Sequence, residues 1–446
     1  MSLLIKNATI INEGRSYTGS VLVVKERIEG IYHSGSSLPE ADETMDASGK
    51  WLIPGAIDGH VHFREPGALH KGSIETESAA AVAGGVTSYM DMPNNTPPCS
   101  SLSLWEEKCH RAAAHSYANY AFYLGANHDN IEEIQKIDPT RIPGVKLFMG
   151  ASTGNMLVDN QEVLGRIFKE SPVLIATHCE DEEAIRQNLL EAKERFGNEI
   201  SPEWHPEIRS REACMKSTQK AISLAIKYKS RLHILHLTTK EEVELLAKIR
   251  GTNPKITGEV CVHHLYFSDC DYQTYGNLIK CNPAIKSIED RDALRDALRK
   301  GVVQVVGSDH APHTFEEKQR PYLQAPSGIP LIQYTLPVMC TMAKEGVFTP
   351  EEVVGWMCHG PACNYGVEKR GFIRKGYFAD LVLLDPETPA KSDTLLYKCN
   401  WSPFSQKHIT VGVSETFVNG GLAYSADKGV LHQRYGQPLR FINSYE

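Results

Sequence analysis

The sequence has no excess of positive charge, no paired-cysteine motif and no long apolar run. Its 47 lysines and arginines are outnumbered by 55 aspartates and glutamates, and the formal net charge of −8 argues against general binding to nucleic acid or to a membrane surface. The 11 cysteines are an odd number without CxxC spacing, so neither a disulfide framework nor a zinc ribbon is expected. No uncharged apolar run reaches membrane-spanning length.

The first residues, MSLLIKN, lack the basic segment, apolar stretch and small-residue cleavage site of a secretory signal. Together with the unpaired cysteines, this predicts a cytoplasmic protein. Hydrophobic residues make up 41% and charged residues 23% of the 446 residues, close to the averages of globular proteins. The whole chain is therefore expected to fold, as one large domain or two.

The middle of the chain alternates short apolar runs with longer helix-like stretches, which indicates βα units and a parallel sheet. The helix-like stretches include 101–116, 181–196, 212–229 and 240–250. Eight apolar runs lie at 57–63, 86–92, 120–125, 145–149, 173–178, 232–237, 256–262 and 302–307. We therefore predict an α/β fold with a (β/α)8 TIM-type barrel over 54–366.

Both ends of the chain have a β-rich texture instead. Short β-type runs separated by turn residues fill 1–53, and similar runs return at 371–384 and 409–418. The simplest arrangement is a small β-sandwich-like domain built from 1–53 and 367–446, with the barrel inserted between its two parts.

Residues that commonly bind metals recur at the ends of the apolar runs. His60 and His62 are alternate residues at the end of the first run, so both side chains can face one metal, although a lone HxH motif is weak evidence. The active site of such a barrel forms at the carboxyl ends of its strands, where other runs supply His178, His236 and Asp309. Four imidazoles and a carboxylate favour zinc or a similar divalent ion, and two neighbouring ions can share them.

Lys146 is a charged residue inside the apolar fourth run. The ordinary interpretation is a long side chain that reaches solvent or pairs with an acid. The functional alternative is that burial lowers its pKa, so that a neutral amine takes up carbon dioxide and becomes a carbamate. Such a carbamate is a carboxylate on a long arm, able to bridge two metals.

Together these motifs closely resemble the dihydroorotases of the amidohydrolase superfamily over nearly the whole chain. The resemblance rests on DGHVHFREPG at 58–67, GGVTSYMDMPNN at 84–95, the strand-end His178 and His236, and GSDHAPH at 307–313, in the family's order. The stretch at 371–384 also resembles the tail sheet that these enzymes add to the barrel.

The resemblance implies two divalent ions, zinc being the first expectation, bridged by N6-carboxylated Lys146 and a hydroxide. One ion would be held by His60, His62 and Asp309, and the other by His178 and His236. Some bacterial relatives supply an aspartate from the loop after the fourth strand, but here the GASTG segment at 150–154 is followed by no acid before Asp159. This departure favours Lys146 as the bridge.

The resemblance also implies which residues contact the substrate and which carries the proton. Asp309 would be the catalytic proton carrier as well as a ligand. The ring and its carboxylate would be contacted by His62, Arg64, Asn94, Asn282 and His313, and by the main chain of Ser327 and Gly328. A guanidinium offers a planar fork to a carboxylate, although an ordinary salt bridge from Arg64 to Glu65 is the alternative. His263 and His264, which end the seventh run, are interpreted as supporting or structural residues.

The implied activity is reversible hydrolysis of the ring amide of L-dihydroorotate to N-carbamoyl-L-aspartate, a step of pyrimidine biosynthesis. An allantoinase or a hydantoinase/dihydropyrimidinase is the nearest alternative, but hydantoins and dihydrouracil lack the carboxylate that Arg64 would bind. A catalytically inactive scaffold homologue is disfavoured because every expected ligand position is filled. The expected partner is a small-molecule substrate, with no nucleic acid and no membrane, and a homodimer is left open.

Overall fold

The computed structural model describes residues 1–150, 156–390 and 394–442. The segment 150–154, in which the sequence has no acidic residue, lies outside the described residues except for Gly150. In the part of the chain that is described, no helix combines the length and the apolar character needed to cross a membrane.

The chain begins with five strands of one sheet. Their bounds are β1 Ser2–Asn12, β2 Arg15–Val24, β3 Arg27–His33, β4 Glu43–Asp46 and β5 Trp51–Pro54. β1 pairs antiparallel with β2, and β2 with β3, whereas β4 and β5 run parallel to β1. Gly14, with a φ of 72°, makes the tight turn between β1 and β2, a conformation that glycine adopts at little cost.

Nine strand segments follow, and they coincide with the eight apolar runs. They are β6 Ala56–Val61, β7 Val86–Asp91, β8 Asn119–Phe122, β9 Leu124–Gly125, β10 Gly144–Phe148, β11 Leu174–His178, β12 Leu232–Ile234, β13 Ile256–Cys261 and β14 Val305–Gly307. β8 and β9 are one strand interrupted at Tyr123, and every neighbouring pair is parallel. A parallel bridge between Val61 and His310 closes the circle. The predicted (β/α)8 barrel is confirmed.

Helices alternate with these strands and cover the outside of the barrel. They are α1 Ile74–Ala83, α2 Leu102–His115, α3 Ile131–Gln135, α4 Gln161–Glu170, α5 Glu182–Phe196, α6 His205–Ile208, α7 Arg211–Tyr228, α8 Lys240–Arg250, α9 Val262–Tyr266, α10 Tyr272–Tyr275, α11 Ile288–Arg299, α12 Phe315–Lys318, α13 Thr335–Lys344, α14 Pro350–Val354 and α15 Gly360–Tyr365. Many begin at a side chain that accepts a backbone N–H, as Thr239 does in a capping box with Glu242 at the start of α8. The four predicted helix-like stretches correspond to α2, α5, α7 and α8.

The last strands return to the first sheet. Their bounds are β15 Leu381–Asp385, β16 Gly412–Val418, β17 Gly421–Ser425 and β18 Gly429–Val430. β15 pairs antiparallel with β5, so strands from both ends of the chain form one nine-stranded mixed sheet with its own apolar core. The β-rich flank expected from both termini is confirmed, and the boundaries near 53 and 367 stay a prediction.

A buried ion pair fixes this sheet to the amino end of the barrel. Arg370 donates to Asp380, and both side chains are at most 3% exposed. Asp380 also accepts from the side chain of Asn119, at the start of β8, at 3.2 Å and from the backbone N–H of Asn419 at 2.8 Å. The carboxylate therefore joins the barrel, the sheet and the segment between them.

Removal of the Asp380 carboxylate is expected to destabilise the fold. Asp380→Ala leaves the buried guanidinium of Arg370 without its anionic partner, which costs about 3–5 kcal/mol in comparable pairs. Chemical denaturation followed by circular dichroism should show a lower midpoint than in wild type. Asp427→Ala, at an exposed position of the same sheet, is the control. Equal midpoints for the two variants would contradict a role of this ion pair in stability.

Candidate active site

The side chains predicted as metal ligands gather at the carboxyl ends of the barrel strands. His60 lies near the end of β6, His178 ends β11, and Lys146 lies within β10. His62, His236 and Asp309 lie just beyond the ends of β6, β12 and β14. Five of the six are classed as buried, with exposed fractions of 1% for His60 and Lys146, 3% for His236, 5% for His178 and 8% for Asp309.

The first group is centred on the carboxylate of Asp309. Its Oδ1 lies 3.1 Å from Nε2 of His60 and 3.1 Å from Nε2 of His62. Burial opposes ionisation of Asp309, but the two imidazoles hold its pKa well below the ordinary value. Three donor atoms thus face one another within 4.8 Å, an arrangement that could hold a metal ion.

Two further side chains fix the orientation of these imidazoles. Glu259 Oε1 lies 2.5 Å from Nδ1 of His60, and Asn94 Oδ1 lies 2.7 Å from Nδ1 of His62. Since both oxygens accept, both Nδ1 atoms carry a proton and both Nε2 atoms face Asp309, where each can bind a metal once it is unprotonated. Burial alone would lower the pKa of His60, but Asp309 and Glu259 raise it to about 9. A divalent cation would balance the charge of Asp309 and Glu259 in place of the extra proton that the His60 ring otherwise holds.

The second group joins two neutral imidazoles. Nδ1 of His178 lies 2.9 Å from Nε2 of His236, and Nε2 of His178 lies 2.8 Å from Glu180, which Arg209 contacts at 2.5 Å. Burial lowers the pKa of His178 and holds that of His236 well below its ordinary value. The ring centroids of His60 and His236 are 5.3 Å apart, so the two groups adjoin. Nitrogen and oxygen donors of this kind suit a divalent ion such as zinc.

Lys146 is buried beside both groups. Its Nζ lies 4.7 Å from the ring centroid of Phe148, and Lys146 and Phe148 pair with Ala176 and His178 of β11. Burial lowers the pKa of the Lys146 amine to about 8, against the opposing influence of Asp309 and Glu259. Part of the Lys146 amine is therefore neutral near neutral pH, and the neutral amine is the form that reacts with carbon dioxide.

Arg64 and His313 form a second, cationic part of the site. Arg64 Nε donates to the Pro312 carbonyl at 3.0 Å, and its Nη2 lies 3.1 Å from Nε2 of His313. Lys71 Nζ lies 3.0 Å from Nδ1 of the same ring. Glu65, the alternative partner of Arg64, accepts the backbone N–H of Ile74 at 2.8 Å and lies 3.7 Å from Arg111. The guanidinium is therefore held by a carbonyl and an imidazole and not by Glu65.

Asn94 and Asn282 are placed differently from each other. Asn94 lies behind His62, whose ring it orients, as the 2.7 Å contact shows. The side-chain oxygen of Asn282 is buried without a hydrogen-bond partner among the described residues. A buried amide oxygen in this state is open to a donor from a bound ligand.

The segment that carries Ser327 and Gly328 is held closely against His313. The Ser327 carbonyl lies 3.1 Å from Nε2 of His313, and a Cβ added to Gly328 would lie 2.5 Å from the Ala311 carbonyl oxygen. Lys318 is fully buried and donates to the carbonyls of Lys280, Pro326 and Gly328, each at 2.9 Å. Its hydrogen bonds to Pro326 and Gly328 fix the main chain on both sides of Ser327.

Three residues of the site adopt the left-handed backbone conformation that side chains disfavour. The φ angles are 68° for Arg64, 39° for His236 and 47° for Asp309. Such conformations cost about 1–3 kcal/mol each and are concentrated at functional sites. These conformations set the direction of the three side chains just after β6, β12 and β14 end.

Sequence reasoning missed several supporting residues: Lys71, Glu180, Arg209, Glu259, Lys280 and Lys318. Two of them had a local signal. Glu180 lies two residues after His178, and Glu259 lies inside the seventh apolar run, where a carboxylate is unusual. Carboxylates commonly orient metal-binding imidazoles, so both positions could have been expected.

Comparison with known proteins agrees with this arrangement. Residues 51–422 match the model of the amidohydrolase family. The chain belongs to the amidohydrolase family. A dihydroorotase of Halobacterium salinarum is 32% identical over 90% of this chain and 92% of its own length. A dihydroorotase of Methanosarcina acetivorans is 30% identical over 90% and 87%, respectively.

Solved amidohydrolase structures share the fold. The L-hydantoinase (dihydropyrimidinase) of Arthrobacter aurescens superposes with a TM-score of 0.93 and 26% identity, covering 98% of this chain and 99% of its own. Together with the dihydroorotase relatives, this similarity confirms the predicted enzyme class, a cyclic amidohydrolase.

Replacement of Lys146 tests the predicted carboxylated bridge between two ions. Lys146→Ala should lower the bound metal and reduce kcat/KM by roughly a hundred-fold or more, with partial recovery when a short carboxylate such as propionate is added. In wild type, ¹³C-labelled bicarbonate should give a carbamate resonance that the variant lacks. Lys169→Ala, at an exposed position of α4, is the control. Full metal content and full activity in Lys146→Ala would refute the carbamate.

Proposed function

We propose that this amidohydrolase is a dihydroorotase, which interconverts L-dihydroorotate and N-carbamoyl-L-aspartate. The observation that carries the proposal is the position of Arg64, two residues after His62 and joined to His313 at 3.1 Å. A guanidinium beside the predicted metal ligands suits a ring that bears a carboxylate. The dihydroorotase relatives, which align with about 90% of the chain, support the same substrate.

The proposed metal centre uses the six side chains described above. His60, His62 and Asp309 would hold one divalent ion, and His178 and His236 the other, with carboxylated Lys146 between them. Nitrogen and oxygen donors make zinc the first choice. When bound, the ions supply a water of lowered pKa and polarisation of the amide carbonyl.

The chain itself contributes proton transfer and orientation. Asp309 would accept the proton of the attacking water and return it to the ring nitrogen as the carbon–nitrogen bond breaks. The carbonyl carbon then becomes a second carboxylate, and ring closure runs the same steps in reverse. The neighbouring imidazoles keep Asp309 ionised, which is the form that can accept a proton. The exposed fraction of 8% for both Asp309 and His313 limits the access of bulk water.

The substrate would be held at the cationic part of the site. Arg64 and His313 would bind the ring carboxylate, and Asn282 and the main chain of Ser327 and Gly328 would contact the ring. The unpartnered amide oxygen of Asn282 and the close approach of Gly328 to Ala311 support these assignments. Asn94 would act on the substrate chiefly through the orientation of His62.

A hydantoinase or dihydropyrimidinase activity is the second candidate. The L-hydantoinase structure, with its TM-score of 0.93, favours it as far as the fold is concerned. The rings of hydantoin and dihydrouracil carry no carboxylate, so they would offer the partly buried guanidinium of Arg64 no anionic group to bind. An inactive scaffold is disfavoured because five of the six predicted ligands are buried and each of the four imidazoles has a hydrogen-bonding partner.

A comparison of substrates tests the assignment directly. The purified protein should convert dihydroorotate with a kcat/KM at least a hundred-fold above its values for allantoin, hydantoin and dihydrouracil, because only the first offers a carboxylate to Arg64. Ring opening is followed in the near ultraviolet or by chromatography. Preference for any of the other three rings would replace dihydroorotase by that activity and leave the family unchanged.

Arg64 is expected to act mainly in substrate binding. Arg64→Met should raise KM for dihydroorotate by roughly ten- to a hundred-fold with a smaller change in kcat, since a charge-assisted contact is lost. Arg64→Lys keeps the charge without the planar fork and should recover only part of the binding. Unchanged saturation kinetics in Arg64→Met would show that the carboxylate is bound elsewhere.

A further inference from the structure

Three donor side chains beside the candidate active site form a separate buried group, here called the Cys261 cluster. Cys261 ends β13, and His263 and His264 lie in the first turn of α9, which begins without an intervening loop. Their exposed fractions are 0%, 1% and 3%. One donor atom from each lies within 4.8 Å of the other two, so the strand-to-helix turn brings them to one point.

Three of the four ring nitrogens in this cluster lack the hydrogen bonds that buried imidazoles normally make. Nδ1 and Nε2 of His263 and Nδ1 of His264 have no partner among the residues that the structure describes. Burial lowers the pKa of His263, and the Ser308 backbone, which forms no hydrogen bond of normal geometry with the ring, offsets only part of this effect. Unsatisfied buried polar atoms cost about 1–3 kcal/mol each, so three in one cluster call for a ligand.

The second nitrogen of His264 fixes which lone pair is available. Nε2 of His264 lies 3.1 Å from the carbonyl oxygen of Pro283 and therefore carries the proton. Nδ1 is then the unprotonated nitrogen, and it is the atom without a partner. This is the arrangement of a metal-binding histidine, in which a carbonyl holds one ring nitrogen and leaves the other for the metal.

The cluster adjoins the first predicted ion but does not use its ligands. The Sγ atom of Cys261 lies within 4.8 Å of one donor atom of His60 and one of Glu259. His60 and Glu259 are already hydrogen-bonded to each other at 2.5 Å. Among the imidazoles near Cys261, the ring nitrogens without a partner therefore belong to His263 and His264.

We propose that Cys261, His263 and His264 bind a third divalent cation of the zinc type through one sulfur and two nitrogens. Thiolate and imidazole together favour zinc or cobalt over magnesium or calcium. Three protein ligands leave one tetrahedral position for water. This site goes beyond the proposed hydrolysis, which uses six other side chains, none of which supplies sulfur.

Cobalt(II) in place of zinc tests the proposal, because a thiolate ligand gives a charge-transfer band in the near ultraviolet that nitrogen and oxygen ligands do not give. The full chain, produced in zinc-depleted medium with added cobalt, should show this band and hold three cobalt ions per chain by elemental analysis. Absence of the band in protein that holds its cobalt would overturn the proposal without the need for any variant.

Variants assign the band to its residue. Cys261→Ser should abolish the band and lower the content to two ions, whereas Cys340→Ser, a buried cysteine of α13, should change neither. His264→Gln keeps the thiol and should weaken retention of the third ion at least ten-fold in chelator competition, which covers the case of a Cys261→Ser that does not fold. A band that persists in Cys261→Ser, or unchanged retention in His264→Gln, would overturn the assignment.

The outcome is separable from that of the proposed function. Dihydroorotate turnover by the same cobalt protein reports on Arg64 and Asp309, and the sulfur band reports on Cys261. A band without turnover would support the third ion and contradict the dihydroorotase proposal. Turnover without a band would support the dihydroorotase proposal and contradict the third ion.

Discussion

The carboxylate of Asp309 lies between Nε2 of His60 and Nε2 of His62, with one oxygen 3.1 Å from each. A buried carboxylate is costly unless it is paired, and the elements around it are arranged to supply that pairing. Glu259 and Asn94 hold the outer nitrogens of the two rings, which places both Nε2 atoms beside Asp309. The parallel strands make this convergence feasible, because their carboxyl ends meet at one face of the barrel.

Much of the architecture could be predicted because it is written in local patterns. Eight apolar runs gave eight barrel strands, and alternation along the first run placed His60 and His62 on one side. The supporting contacts could not be predicted in the same way, since they join distant parts of the chain. Glu259 meets His60 across 199 residues of sequence, and that pairing depends on the closure of the barrel. A period of two or 3.6 residues carries no information about such a contact.

The site divides into parts of opposite charge that serve different purposes. Asp309 and Glu259 make the metal-binding part attractive to cations, whereas Arg64, Lys71 and His313 form a cationic part suited to an anionic ring substituent. The chain as a whole carries a formal charge of −8, so an anionic substrate depends on this local group rather than on the general field of the protein. The predicted metal ligands are therefore the basis for the chemistry of the family, and Arg64 is the basis for the proposed substrate.

Buried lysines hold the segment that would contact that ring. Lys318 donates to three carbonyls at 2.9 Å, and Lys280 donates to the carbonyls of Tyr322 and Ala325 at 2.6 Å. Burial lowers the pKa of both amines, that of Lys280 to about 8. An apolar residue could fill the same space but could not satisfy five carbonyl oxygens at once. The two buried lysines therefore fix the position of the main chain that the proposed function places against the substrate.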